Sequence, residues 1–134
     1  QEVVDFFLRC RSQEDRQDFL LIDPLGKIVG EAVLNEMDDH LRCANFRVAL
    51  FDRELFGKGL GTWMTEKTLE FAFEEAKLHR VSLEVFAFNP RAIHVYEKVG
   101  FRREGVLKDA VLDGDQYADS ILMAILEDQW CERK

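Results

Sequence analysis

Three glycines at alternate positions, Gly57, Gly59 and Gly61, are the part of this sequence best suited to binding an anion. Residues 46–51 come before the glycines, and their β-forming types predict a strand. Residues 60–76, which include the last of the glycines, have an apolar spacing that predicts a helix. A strand, a glycine turn and a helix together direct free backbone N–H groups at a negative charge. Glycine suits this turn because it accepts positive φ and lets a ligand approach the backbone. Lys58 adds a positive charge.

The turn matches neither of two common phosphate-binding motifs. A P-loop requires four residues between its first glycine and Gly-Lys-Ser/Thr, and this spacing is absent. The dinucleotide-binding fingerprint requires two residues before its third glycine, where this chain has one. Taken alone, the glycines are better explained as a tight strand-to-helix turn.

A second segment, residues 89–101, changes that interpretation. It reads Asn-Pro-Arg-Ala-Ile-His-Val-Tyr-Glu-Lys-Val-Gly-Phe. Asn89 and Pro90 predict the start of a helix, as N-cap and first-turn residue, and Gly100 predicts its end. Tyr96 lies about two turns into this helix, on the face shared with Ala92 and close to the predicted sheet.

Together the two segments resemble the GNAT acetyltransferases, most closely the branch of spermidine and ribosomal-protein N-terminal acetyltransferases. The first family signature is Arg/Gln-x-x-Gly-x-Gly/Ala, and residues 56–61 match it at both glycines. The second is Asn-x-x-Ala-x-x-x-Tyr-x-Lys-x-Gly-Phe, and residues 89–101 match every fixed position. The resemblance extends from about Phe19 to Trp130.

The resemblance implies an N-acetyltransferase that passes the acetyl group of acetyl-CoA directly to a primary amine, without a metal. It places the pantetheine arm between two splayed parallel strands and the pyrophosphate on the amides of the glycine turn. It also implies that the backbone near Leu50 binds the thioester carbonyl and that Tyr96 protonates the thiolate as the catalytic acid. The cofactor-binding residues that it implies are Ala49, Leu50, Phe51, Phe56, Gly57, Lys58, Gly59, Leu60, Gly61, Thr62, Asn89 and Lys98.

Some of these residues also have a purely structural explanation. Asn89 serves equally well as a helix N-cap, and Tyr96 as a core aromatic residue whose hydroxyl is satisfied. His94 is two residues from Tyr96, so we expect it to point elsewhere. A surface position is favoured for His94 over a place beside the cofactor's phosphates.

Two residues depart from the family pattern. Phe56 replaces Arg or Gln, which removes a side-chain contact near the phosphates and predicts weakened rather than abolished binding. Asn45 stands where close relatives often carry Glu, a carboxylate that would relay the amine's proton. Glu31, Glu36 and Glu84 are the alternative bases, although for Glu84 a solvated side chain is the simpler interpretation.

The remaining sequence predicts the elements that position these residues. Their order is a helical face at Val3, Val4, Phe7 and Leu8, strands 19–22 and 27–34 joined by turn 23–26, a polar loop 35–43, strand 46–51, helix 60–76, strand 81–86, helix 89–100, and strands 101–112 and 117–126 around turn 113–115. With the resemblance, this predicts an α/β (α+β) fold. It has a mixed, mostly antiparallel sheet with a splayed parallel pair, flanked by helices, in one domain of residues 1–134. The strand and helix with which the family begins have no counterpart, and in relatives they form part of the acceptor site.

Composition and charge narrow the choice of partners. No apolar run in the 134 residues reaches membrane-spanning length, and a net charge of −8 disfavours nucleic acid. The same charge favours a cationic acceptor, either a polyamine-like small amine or a protein N-terminal amine, although acidic surfaces also serve solubility alone. Cys10, Cys43 and Cys131 form no metal or disulfide pattern, which favours a cytoplasmic location. A homodimer is left open.

A non-catalytic acyl-CoA-binding or interaction protein is the alternative function. It is motivated by the missing N-terminal elements of the family and by the two departures at Phe56 and Asn45.

Overall fold

The computed structural model describes residues 7–13, 15–51, 53–57 and 59–133, with only the backbone at residues 7–13 and 53. The strands are β1 (Phe7–Gln13), β2 (Arg16–Ile22), β3 (Ile28–Asp38), β4 (Cys43–Leu50), β5 (Arg80–Phe86), β6 (Arg102–Asp113) and β7 (Gln116–Leu126). The helices are α1 (Leu60–Glu70), α2 (Pro90–Val99) and α3 (Glu127–Glu132). A short 3-10 turn covers Arg53–Leu55, and a π-helical turn, Phe71–Glu75, continues α1.

The strands form one seven-stranded sheet in the order β1-β2-β3-β4-β5-β7-β6. Neighbouring strands are antiparallel except β4 and β5, which are parallel. That parallel pairing is limited to Cys43–Arg80, Ala44–Val81 and Asn45–Ser82. Beyond Asn45 and Ser82 the two strands separate and leave a V-shaped gap. The predicted mixed sheet with a splayed parallel pair is therefore confirmed.

All three described helices contribute side chains to one core on the same side of the sheet. In α2 the buried residues are Ile93, Tyr96 and Val99, one helical stripe that packs on β4 and its neighbours. We call the opposite side the open face. Because side chains alternate along a strand, the open face carries Asn45, Arg47 and Ala49 of β4, and Ser82, Glu84 and Phe86 of β5.

The predicted hairpins and the helix after Asn89 are confirmed. In the first hairpin turn, the Gly26 N–H donates to the Asp23 carbonyl at 2.9 Å. The side chain of Asn89 accepts a hydrogen bond from the Ala92 N–H, as an N-cap does, and Gly100 ends the helix at φ 127°.

Two predictions for the N-terminal half are wrong. Phe7 and Leu8 lie in β1 rather than in a helix, because pairing with β2 decides the conformation of a short apolar segment that fits both patterns. Val3 and Val4 lie outside the described residues. Residues 35–43 are not one loop, since β3 continues to Asp38 through a bulge and β4 begins at Cys43. Glu36 sits in that bulge with φ 52°.

The predicted helix 60–76 changes character near its end, and α3 was not predicted. The α-helical pattern stops at Glu70 and a π-helical turn follows. Trp130 of α3 stacks on Phe73 at 5.9 Å, and its indole N–H donates to Glu74 at 3.0 Å. These contacts join residues far apart in sequence, so no local sequence pattern predicts them.

Candidate active site

A cleft of about 710 Å³ opens at the V-shaped gap. Three parts of the chain line it: the end of β4, the glycine turn with the start of α1, and one side of α2. The lining residues are Val48, Ala49, Leu50, Phe56, Gly57, Gly59, Gly61, Thr62, Asn89, Pro90, Arg91, Ala92, His94, Val95, Tyr96 and Lys98. The cleft thus brings together the two segments singled out in the sequence.

The edge of β4 offers free backbone groups to this cleft. The Phe51 N–H donates to the Val29 carbonyl of β3 at 2.8 Å, and Leu50 is paired with Gly30. Because hydrogen-bonding groups alternate sides along an antiparallel strand, Val48 and Leu50 direct their N–H and C=O groups away from β3 and into the gap. An extended ligand could pair with this edge as an added strand would.

The glycine turn is open in the way an anion site requires. Gly57 and Gly59 have φ of 80° and 82°, so a side chain would be strained at either position. A Cβ at Gly57, Gly59 or Gly61 would meet nothing within 4 Å. Packing within the described chain therefore does not require these glycines, and the space beside them is left for a ligand. Gly59 is also the N-cap residue of α1, and because glycine has no side chain, it makes no side-chain hydrogen bond to cap this end of the helix. Lys58 lies outside the described residues.

Helix α2 supplies the polar side of the cleft. The N-cap residue Asn89 lines it together with Arg91, His94 and Lys98, and the spacing of the last three, i, i+3 and i+7, brings them to one side of the helix. His94 is exposed, as predicted, and like Tyr96 it is one of the residues that line the cleft.

Arg91 was not among the predicted site residues. Its guanidinium lies 5.3 Å from the centroid of the Phe56 ring, a cation–π contact at the mouth of the cleft. Arg91 therefore places a positive charge beside Phe56, which is itself uncharged. Its spacing of seven residues from Lys98, which brings both to one side of a helix, was the available sequence signal.

Tyr96 lies where the cleft meets the core. It is 8% exposed, and its ring packs edge-on against Phe46 and Phe101 at 6.3 and 5.7 Å. No described residue hydrogen-bonds its hydroxyl, and Tyr96 is one of the residues that line the cleft. Burial raises the pKa of Tyr96 to about 12. The phenol therefore stays protonated at neutral pH and can act as a proton donor.

Two of the predicted cofactor-binding residues do not line the cleft. Phe51 is 59% exposed and its N–H is bonded to β3, whereas Leu60 is fully buried in the core. The other predicted residues within the described chain all border the cleft.

The open face holds the candidate bases. The Ser120 hydroxyl, which is fully buried, donates to Glu84 Oε2 at 2.5 Å. Asn45 Nδ2 donates to Asn35 Oδ1 at 3.1 Å, so this amide pair occupies the place of the expected carboxylate. Glu31 lies on β3, where it pairs with Ala49 of β4, so it is one strand further from the gap than the residues of β4. Sequence reasoning missed Ser120, because its contact with Glu84 depends on strand register.

The raised pKa of Tyr96 predicts a specific loss of stability in alkali. Burial raises the pKa of the Tyr96 phenol to about 12 in the folded state, from its ordinary value of 10.0. Stability is therefore unaffected below pH 10 and falls as the pH rises from 10 to 12, because the unfolded chain ionises first. Relative to Tyr96→Phe, the wild type should lose up to about 3 kcal/mol over this range. Urea unfolding of both proteins between pH 8 and 12 measures this difference, and parallel curves would contradict it.

The described residues contain neither a cluster of metal ligands nor a membrane-spanning helix. No group of three or more His, Cys, Asp or Glu there could hold a metal ion. No described helix has the length and apolar character needed to cross a bilayer. Cys43 and Cys131 are free thiols, and the side chain of Cys10 is not described.

Comparisons with known proteins agree with the motifs. The model of the Acetyltransferase (GNAT) family matches residues 2–101. The spermidine N(1)-acetyltransferase of Vibrio cholerae serotype O1 is 30% identical over 115 residues, which cover 86% of this chain and 66% of that protein. The Escherichia coli K12 enzyme of the same name is 32% identical, covering 78% and 56%. The chain thus spans less than two thirds of these curated relatives.

A solved structure shares the fold. Spermidine N-acetyltransferase from Vibrio cholerae, in complex with CoA and spermine, aligns with a TM-score of 0.81 at 29% identity. The alignment covers 88% of this chain and 69% of that one. With the splayed sheet, both sequence signatures and the family match over most of its length, this chain belongs to the GNAT family of acetyltransferases.

Proposed function

We propose that this chain is an acetyl-CoA-dependent N-acetyltransferase that transfers the acetyl group directly to a primary amine. The observation that carries the proposal is the course of the cleft. It runs from the open glycine turn, along the edge of β4 that faces the gap, to Tyr96, whose phenol is protonated at neutral pH. A nucleophilic enzyme residue is not needed, because a thioester is already activated.

From the mouth of the cleft to its inner end, the lining residues suit the successive parts of acetyl-CoA. The amides of Gly57, Gly59 and the first turn of α1 bind the pyrophosphate, with Arg91 and Lys98 as nearby cations. Asn89 and the β4 edge hold the pantetheine arm. The Leu50 N–H then faces the thioester carbonyl, where it stabilises the oxyanion.

The acceptor reaches the gap from the open face, because the helices and the cofactor occupy the other side. The protonated amine first gives up one proton to a base, the lone pair of the neutral amine attacks the thioester carbon to form the C–N bond, and the nitrogen then loses a second proton to become the amide. The C–S bond then breaks, and Tyr96 donates its proton to the leaving sulfur. Solvent restores the phenol proton, so the sum is one amide, one thiol and one proton.

Among the acidic residues, Glu84 is the one that its position favours as the base. It lies on β5, which borders the gap, two residues beyond the last parallel pair at Ser82. Glu31 and Glu36 lie on β3, and β4 separates them from the gap. Ser120 fixes one carboxylate oxygen of Glu84, while the other is free to contact an amine or a bridging water.

We expect Glu84→Gln to lower kcat/KM for an amine by about 10²-fold, the low end of the range for a general base. Ser120→Ala should lower it about fivefold, because one charge-assisted hydrogen bond then no longer orients the carboxylate. Glu31→Gln is the matched control, on the same face but one strand away, and should change kcat/KM less than twofold. Steady-state kinetics with one amine at a fixed pH measure these differences in kcat/KM.

A reversal of these effects would move the base elsewhere. If Glu31→Gln were impaired and Glu84→Gln were not, β3 would supply the carboxylate. Equal CoA affinity in all three variants, measured by calorimetry, is the control that the cofactor site is intact.

The proposed activity is tested by incubating the chain with acetyl-CoA and a panel of primary amines. Both thiol release and the mass of the acetylated amine are measured, since hydrolysis of acetyl-CoA alone also releases thiol. Acetylated product supports the proposal. Tight CoA binding without product from any amine would instead support the non-catalytic acyl-CoA-binding alternative.

The finer identity of the acceptor is also a proposal. Two relatives are spermidine acetyltransferases and one solved relative holds spermine, which supports a small, cationic, non-peptide amine. The net charge of −8 acts in the same direction, because it attracts any protonated amine.

A further inference from the structure

The carboxylate of Glu84 lies among exposed apolar side chains on the open face. Strand register places Phe86 beside Ser120 of β7, and Ser120 beside Leu107 of β6. Glu84 itself is paired with Leu122. Phe86 and Leu107 are 42% and 44% exposed, so both present apolar surface beside the proposed catalytic group.

An aromatic pair extends this surface to the end of β5. The rings of Phe86 and Phe88 lie 5.3 Å apart at a tilt of 35°, and Phe88 is 45% exposed. Phe88 directly precedes Asn89, which lines the cleft. The aromatic surface therefore begins at the gap, within reach of a group attached to an acceptor bound there.

The charges around the gap suit one ammonium group and oppose a second. Across the gap from Glu84, Arg47 of β4 projects on the same open face and forms no ion pair with a described residue. Asp119 is already engaged by Lys108 and by the Asp109 N–H. Glu31, another carboxylate on this face, lies on β3, one strand beyond β4. At the border of the gap itself, a second ammonium group on the acceptor would thus meet a guanidinium or apolar surface, and would lose hydration without gaining a partner there.

We propose that the preferred acceptor is a monoamine that carries an aromatic or branched apolar group. Glu84 contacts the amine, the surface formed by Phe86, Phe88 and Leu107 buries the apolar group, and Arg47 selects against polyamines. This inference rests on the proposed function and specifies its substrate class. It opposes the polyamine preference that overall charge suggests, since local charges outweigh distant exposed ones that salt screens beyond about 10 Å.

The test compares 2-phenylethylamine with spermidine as acceptors. We expect kcat/KM to be at least about tenfold higher for 2-phenylethylamine. Phe86→Ala should lower kcat/KM for 2-phenylethylamine about tenfold, through a higher KM, because a lost apolar contact of this size has roughly that effect. The same variant should leave kcat/KM for spermidine and the Kd for CoA unchanged. Arg47→Glu should raise kcat/KM for spermidine about tenfold.

Leu25→Ala is the matched control, because Leu25 is 92% exposed in the first hairpin turn and should affect neither amine. A higher kcat/KM for spermidine than for 2-phenylethylamine would overturn the inference and leave the proposed transferase activity standing. So would an equal effect of Phe86→Ala on both amines. Acetylation of neither amine, nor of any other in the panel, would overturn the proposed function and this inference with it.

Discussion

Replacing Gly59 by valine should weaken CoA binding by about 100-fold or more while the chain still folds cooperatively. Gly59 has φ 82°, a region that a β-branched residue avoids. The turn would therefore shift, and its backbone N–H groups would no longer point together at the phosphate. Each charge-assisted hydrogen bond to a phosphate contributes about 1.5–3 kcal/mol, so the loss of two corresponds to at least that fold-change. The new side chain would also fill space left for the ligand.

The first hairpin offers a matched control for this substitution. Gly26 has φ 88°, and a Cβ there would also meet nothing within 4 Å, but it lies outside the cleft. Gly26→Val should therefore carry similar backbone strain and a similar fall in Tm, with unchanged CoA affinity. Calorimetric titration and thermal unfolding of both variants separate strain from ligand contact. Unchanged CoA affinity in Gly59→Val would exclude the glycine turn as the phosphate site.

Lys58→Ala is expected to weaken CoA binding less than Gly59→Val, because Lys58 provides one charge against several backbone amides. The same titration measures this difference. A larger effect for Lys58→Ala would mean that side-chain charge rather than the backbone holds the phosphates.

The parts of the site that were predictable from sequence are those encoded within a few residues. The Asn89 cap, the glycine turn and the Tyr96 stripe each depend on local spacing, and the structure places all three at one cleft. Local spacing also explains the error at Phe7 and Leu8, since a few apolar residues fit a helix and a strand equally well. There the partner strand decided the outcome.

The unpredicted parts depend on contacts between distant segments. Ser120 reaches Glu84 across 36 positions only because β5 and β7 pair in one particular register. A slip of one residue would move Ser120 to the other face of the sheet. Likewise, the contact of Arg91 with Phe56 requires α2 to lie across the glycine turn. Neither pairing leaves a periodic signal in the sequence, although both alter the chemistry expected at the site.

Tyr96→Phe should lower kcat on the order of 10²-fold, with CoA affinity almost unchanged. The substitution keeps the ring and its packing against Phe46 and Phe101, and removes only the hydroxyl. A phenol with a pKa of about 12 is a weaker acid than a free thiol with a pKa of about 8.5, so proton transfer to a fully formed thiolate is uphill. A positioned acid of this strength should therefore give the low end of the usual acceleration.

The pH dependence of this loss distinguishes catalysis from structure. Tyr96 stays protonated from pH 6 to 9, so kcat should fall by the same factor throughout that range. Thermal stability near pH 7 should change little, because no described residue bonds the hydroxyl and its removal leaves no partner unsatisfied. Single-turnover rates with a saturating amine measure the chemical step directly. Turnover at the wild-type rate across pH 6 to 9 would make Tyr96 a structural residue, and the thiolate would then take its proton from solvent.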